Sequence, residues 1–121
     1  MMGWKFMDNV KNDKYYANKI MTDVQYLIGL TEEYSYEELQ VNETVLDSIF
    51  FRFIQIAENA TKLSKELKTR ENKIDWGAIS GLRNRIVHDY GHTDLGIILS
   101  TLKEDIPELK NVMEKYADIK Q

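Results

Sequence analysis

The sequence predicts an all-α helical bundle, and three observations carry that prediction. Apolar residues recur at steps of three and four along most of the chain. No segment sustains the period-two alternation of a half-buried strand. The stretches between the periodic segments are short, which favours antiparallel neighbouring helices. The 121 residues suit one domain over 1–121, and a single proline with six glycines leaves no flexible linker to divide it.

The first helix is expected from about Asn9 to Leu30, because Ala17, Ile20, Met21, Val24, Leu27 and Ile28 form one apolar stripe. Ser35 followed by Glu38 fits a capping box and predicts a short turn of helix at Tyr34–Leu39. Asn42 is a suitable N-cap for a second long helix over 43–68. There Leu46, Phe50, Phe53, Ala57, Ala60 and Leu67 follow a 4-3 spacing, and Ile49, Ile56 and Leu63 widen the stripe. Phe51 and Ile54 add apolar surface on another side, so this helix is expected to pack on two sides. Residues 68–73 read as a polar loop. Asp75 can cap a third helix over 76–90, with Ile74 and Ile79 placed for a hydrophobic staple. Its stripe is Trp76, Ile79, Leu82, Ile86 and Tyr90, and Gly91 is a natural stop. A fourth helix starts at Thr93 or Asp94 and runs through Leu109 to Tyr116. Pro107 lies inside it, so a kink or split is expected there.

Composition excludes several function classes. Hydrophobic residues make up 43% of the chain, too many for a disordered protein, and no run of about 18 apolar residues exists to span a membrane. The absence of cysteine excludes a disulfide framework, a thiolate zinc site and a cysteine nucleophile. No apolar h-region opens the sequence, so the expected location is the cytoplasm. The net charge of −4 argues against a protein that coats nucleic acid. Charge is nonetheless uneven. Residues 61–85 carry seven basic and three acidic side chains, a net of +4 against −8 for the rest. Such a strip can guide an anionic substrate to one place, or it can be solvated helix surface.

Both histidines, His88 and His92, lie at the end of the third helix beside Arg83 and Arg85. Cleavage of an RNA phosphodiester needs a base for the 2′-hydroxyl or an acid for the leaving oxygen. Histidine suits both, with an ordinary pKa of about 6.5. It also needs a fixed cation for the charge that develops on phosphorus, and arginine supplies a planar fork that is always protonated. Arg83 and His88 are about 140° apart around an ideal helix, so they meet one substrate only at an irregular helix end or in a cleft that wraps it. Asn84 shares a face with His88, and Arg85 shares one with Asp89. Each residue also has an ordinary structural role open to it. His88 can complement the helix dipole, the arginines can form ion pairs, and Tyr90 can continue the core stripe. A metal site at His88, Asp89 and His92 is the weaker chemical option, since Gly91 interrupts the helix and no third histidine exists.

The segment Arg83-Asn-Arg-Ile-Val-His88-Asp-Tyr90 resembles the Arg-x-x-x-x-His-x-Tyr signature of HepT-like proteins of the HEPN superfamily, toxins of HepT–MNT toxin–antitoxin systems. Three further segments match in order. Ile56-Ala-Glu-Asn-Ala60 is similar to the family's Ile-Gly-Glu-Ala helix, Ile74-Asp-Trp76 to its Ile-x-Trp, and Asp105-Ile-Pro-Glu-Leu109 to its Asp-Leu-Pro-x-Leu. The resemblance implies a HEPN bundle of four main helices and a homodimer with the motif cleft at its interface. It implies a metal-independent endoribonuclease without cofactor, with Arg83 and His88 catalytic and Asn84 matching the polar residue that follows the arginine; Asn84 and Arg85 are in turn read as positioning RNA phosphate. The implied partner is a minimal nucleotidyltransferase antitoxin that adenylylates Tyr90. Ala57 and Asn59 depart from the family's usual Gly and Ala, beside Glu58, which either supports the motif or has a helix-surface or capping role. The alternative is a non-catalytic subunit that binds substrate for, or regulates, the nucleotidyltransferase.

Overall fold

In the computed structural model, which describes residues 12–118, α1 spans Asp13–Glu33. Asn12 caps it by accepting the Tyr15 N–H at 3.2 Å. The expected start at Asn9 lies outside the described residues. Ala17, Ile20, Met21, Val24 and Leu27 are fully buried, as their spacing predicts. One charge is buried with them. Asp23 pairs with Arg52 at 2.8 Å, and the Arg52 guanidinium stacks on the Tyr26 ring at 3.9 Å. The pair answers a carboxylate that would otherwise be stranded in the core.

The capping box is present. Ser35 Oγ accepts the Glu38 N–H at 3.1 Å and Glu38 Oε1 accepts the Ser35 N–H at 2.8 Å, starting α2 (Tyr36–Val41). That backbone donor holds the Glu38 carboxyl below its ordinary pKa. α3 (Glu43–Ala60) is capped by Asn42 and packs on α1.

The expected second helix over 43–68 is broken. It ends at Ala60, and a separate helix α4 (Lys65–Arg70) occupies part of the expected polar loop. The cause lies 51 residues away. The Asp13 carboxylate takes the Ser64 N–H at 2.7 Å and the Ser64 hydroxyl at 2.6 Å. In a continuous helix that N–H would bond to the Ala60 carbonyl, which here accepts from Leu63 instead. Ser64 then caps α4 through the Leu67 N–H, and Leu67 is buried.

α5 (Trp76–His88) starts at Asp75, whose carboxylate accepts the Ala78 N–H at 2.9 Å, and packs on α3. The predicted stop at Gly91 is not used. Asp89 leaves helical geometry at φ −133, ψ 37, and Tyr90–His92 form a 3-10 turn. Gly91 has no positive φ. The Thr93 hydroxyl ties this turn by donating to the Asp89 carbonyl at 3.1 Å.

The predicted fourth helix is present in pieces. α6 (Leu95–Ser100), capped by Asp94, runs into a π-helical turn at Thr101–Asp105 and then into α7 (Ile106–Met113). Pro107 lies in the first turn of α7. Proline has no N–H for a helical bond to Lys103, and its ring crowds that carbonyl. The π turn widens the backbone just before it, and the Ile106 N–H reaches the Thr101 carbonyl. α7 packs back on α1 and closes the core. Among the described residues there is no strand, and no helix is long and apolar enough to cross a membrane.

Candidate active site

The motif residues stand where α5 lies against α3. Two cross-connections fix the pairing. Arg83 Nε donates to Glu58 Oε1 at 3.0 Å, and the Tyr90 hydroxyl donates to the Asp47 carboxylate. Because 58 meets 83 and 47 meets 90, the helices are antiparallel. Asp47, Phe51, Ile54 and Glu58 follow i, i+4, i+7, i+11 spacing along α3, while Arg83 and Val87 are one turn apart on α5 and Tyr90 follows on the 3-10 turn beyond its end. The two rows form one face, polar at its ends and apolar in its middle. Phe51 is 54% exposed, Val87 46% and Tyr90 49%. Part of the second apolar side predicted for this helix is therefore open to solvent.

Arg83 is held in place rather than free. Besides Glu58, its Nη1 donates to Asn84 Oδ1 at 3.2 Å, while Nη2 makes no hydrogen bond among the described residues. Glu58, which the sequence left between a supporting and a surface role, is thus the carboxylate that orients Arg83. His88 is exposed in the last turn of α5, and its ring has no hydrogen-bond partner among the described residues. No hydrogen bond joins Arg83 to His88, and the helix becomes irregular only after His88. Within one chain their separation around α5 is maintained.

Arg85 points elsewhere. It does not pair with Asp89, whose backbone N–H bonds instead to the Arg85 carbonyl at 2.8 Å. Arg85 lines a groove of about 540 Å³ between α5 and the α6–α7 segment, with Phe53, Ile79, Leu82, Ile97 and Ile106. Asp105 also borders that groove, and burial, then Glu104 and Glu108, raise its carboxyl pKa. His92 is exposed on the 3-10 turn. His88, Asp89 and His92 do not converge, since no group of three or more such side chains among the described residues could hold a metal ion.

Tyr90 does not continue the Trp76–Ile86 stripe into the core. Its ring meets Phe50 edge-on at 5.1 Å, and half of its surface is exposed. The hydrogen bond to Asp47, then burial and the Asp47 and Glu43 charges, push its phenol up to about 12. Asp47 was not legible as a site residue. It lies 43 residues from Tyr90, and its only sequence signal is an acidic residue on the same helical row as Phe51 and Glu58.

Comparison with known proteins bears out the family resemblance. The Ribonuclease HepT-like family model matches residues 20–116. A relative named "putative RNase" from Caldanaerobacter subterraneus subsp. tengcongensis is 30% identical over 107 residues, covering 88% of this chain and 95% of its own. A "probable ribonuclease HepT" from Thermococcus cleftensis is 24% identical over 105 residues, covering 87% and 96%. No solved structure gives a significant match. The chain belongs to the Ribonuclease HepT-like family, a group of all-α HEPN-type RNases.

Proposed function

We propose that the chain is a metal-independent endoribonuclease toxin of a HepT–MNT module, acting on RNA in a cleft between two protomers. The observation that carries this reading is the held guanidinium of Arg83 on an open, partly apolar face, with the unpartnered His88 ring on the same helix. One chain leaves these two groups apart. A second copy on the α3–α5 face would close the cleft and bury Phe51 and Val87, and its own Arg83 or His88 would complete the pair.

His88 takes the proton from the ribose 2′-hydroxyl, and that oxygen attacks the adjacent phosphorus. The 5′ oxygen leaves and takes a proton from water, so the products are a 2′,3′-cyclic phosphate and a 5′-hydroxyl end. Arg83 stabilises the charge that grows on the phosphoryl oxygens. Asn84 holds the same phosphate beside Arg83, and Arg85, on the groove side of α5, takes a second phosphate of the strand. A cognate minimal nucleotidyltransferase silences the site by placing AMP on Tyr90, which puts a phosphodiester anion close to the motif cations.

The deciding experiment incubates the purified chain with total RNA in excess EDTA and maps the ends. Cuts that finish in cyclic phosphate support the reading. Cuts that vanish with EDTA and return with one divalent ion refute the metal-free mechanism. No cleavage, with tight binding to the nucleotidyltransferase, would favour a non-catalytic regulatory subunit.

A further inference from the structure

Two motif side chains cross to α3 through acceptors outside the motif, Arg83 to Glu58 and Tyr90 to Asp47, and of the two only Tyr90 lies beyond the end of α5. Its hydroxyl donates to Asp47 and its ring rests against Phe50, both on α3. It also sits two residues after His88, where the backbone has just left the helix. The local bonds there are few. Asp89 N–H donates to the Arg85 carbonyl at 2.8 Å, His92 N–H to the Asp89 carbonyl at 2.8 Å, and Thr93 ties the same turn. Helix ends fray unless something outside the helix holds them. The groups that cross from this turn to α3 are the Tyr90 ring and hydroxyl.

We propose that Asp47 is a positioning residue for His88. It latches Tyr90 to α3, so fixing the last turn of α5, and adenylylation of Tyr90 opens the latch. This rests on the reading of Tyr90 as the AMP acceptor of an RNase site. In that transfer the phenolic oxygen bonds to the α-phosphorus of ATP, the bond to the β-phosphate oxygen breaks, and pyrophosphate leaves. The phenol's proton departs through the Asp47 carboxylate to solvent. The aryl phosphodiester has no proton to donate, so the Asp47 bond cannot re-form. Its negative charge would also face Asp47 and Glu43, which repel it. The modified side chain swings off α3 toward the motif cations, and the turn that held His88 is released. Silencing then has two parts, loss of His88 placement and occupation of the cleft.

The test compares wild type with Tyr90→Phe, Asp47→Ala, Asp47→Asn and the Tyr90→Phe/Asp47→Ala double variant, all unmodified. Hydrogen exchange is read at the Asp89 and His92 amides, and kcat and KM are read on an RNA oligonucleotide. Losing the bond should speed exchange at both amides and lower kcat, each by about tenfold in either single variant, with KM changed less than about twofold. The double variant should be no worse than either single one, because both remove the same bond. Asp47→Asn keeps an oxygen acceptor and should recover most of the rate. Acetylating the phenols with N-acetylimidazole should reproduce the Tyr90→Phe phenotype in wild type and add nothing in Tyr90→Phe. Exchange at wild-type rates in Tyr90→Phe, or single effects that multiply in the double variant, would overturn the latch. A wild type that cuts no RNA would refute the nuclease reading, with the latch then decided by exchange alone. AMP found on a residue other than Tyr90 would refute the modification reading.

Discussion

Replacing Arg83 with alanine separates the two jobs that its guanidinium can do. As a structural group it forms one ion pair with Glu58, and the two side chains are 34% and 51% exposed. Pairs this wet contribute about 0–1 kcal/mol, because solvent screens the attraction and two long side chains must be ordered. In a domain of this size that lowers Tm by less than about 5 °C. As a catalytic group it meets charge that exists fully only in the transition state. Losing one such stabilising group costs about 10²- to 10³-fold in rate, or roughly 3–4 kcal/mol. The two roles therefore differ by several-fold in free energy and are read by different assays. Thermal melting by circular dichroism should show a small shift, and initial rates on a labelled RNA should collapse. Arg83→Lys should recover little, because a point charge cannot hold Glu58, Asn84 and phosphate at once. Glu58→Gln keeps an acceptor for Nε and should stay within several-fold of wild type. An Arg83→Ala chain that melts normally and cuts at the wild-type rate would remove Arg83 from the mechanism.

The chain should behave in light scattering as a dimer of about 28 kDa, twice its 14.2 kDa mass, and Phe51→Glu should shift it to monomer. A monomeric wild type at micromolar concentration would count against the shared cleft. Asp13→Ala leaves the Ser64 N–H and hydroxyl without their carboxylate, and urea unfolding should show a loss of about 1–3 kcal/mol. The Tyr90 phenol, raised from 10.0 to about 12, stabilises the fold fully below pH 10 and loses that contribution as pH rises toward 12. With half of its surface wet the loss should be about 1 kcal/mol, and the step should be absent in Tyr90→Phe.

What the sequence made legible follows the range of the interactions concerned. The stripe of α1, the capping box at Ser35, the caps at Asn42 and Asp75 and the helix start at Thr93 or Asp94 are set by side chains within a few residues of each other, and each is present. The break after Ala60 was not legible, because the apolar spacing from Leu46 to Leu67 runs through it without a flaw. Asp13 reaches Ser64 from the start of α1 and takes its N–H out of the helical ladder, and Ser64 then caps the next helix. Gly91 misled for the opposite reason. It is a good local stop signal, but a long-range tie from Tyr90 to α3 accompanies a helix end two residues earlier, at a residue able to adopt that backbone.

The site divides along the same line. Arg83, Asn84, His88 and Tyr90 are contiguous enough to read as a motif, and their helix places them in one region. Their partners, Glu58 and Asp47, lie 25 and 43 residues away; the Ile56–Ala60 segment pointed to Glu58 as a possible support, and nothing local marks Asp47. Those two carboxylates do opposite work on the motif. Glu58 meets a cation and orients it without removing its charge, so Arg83 keeps its attraction for phosphate. Asp47 meets a neutral phenol and holds it by its only proton. An anion delivered to that phenol turns the same carboxylate from acceptor to repellent. The α3 row thus carries one contact that endures through the proposed reaction and one that a single modification would reverse.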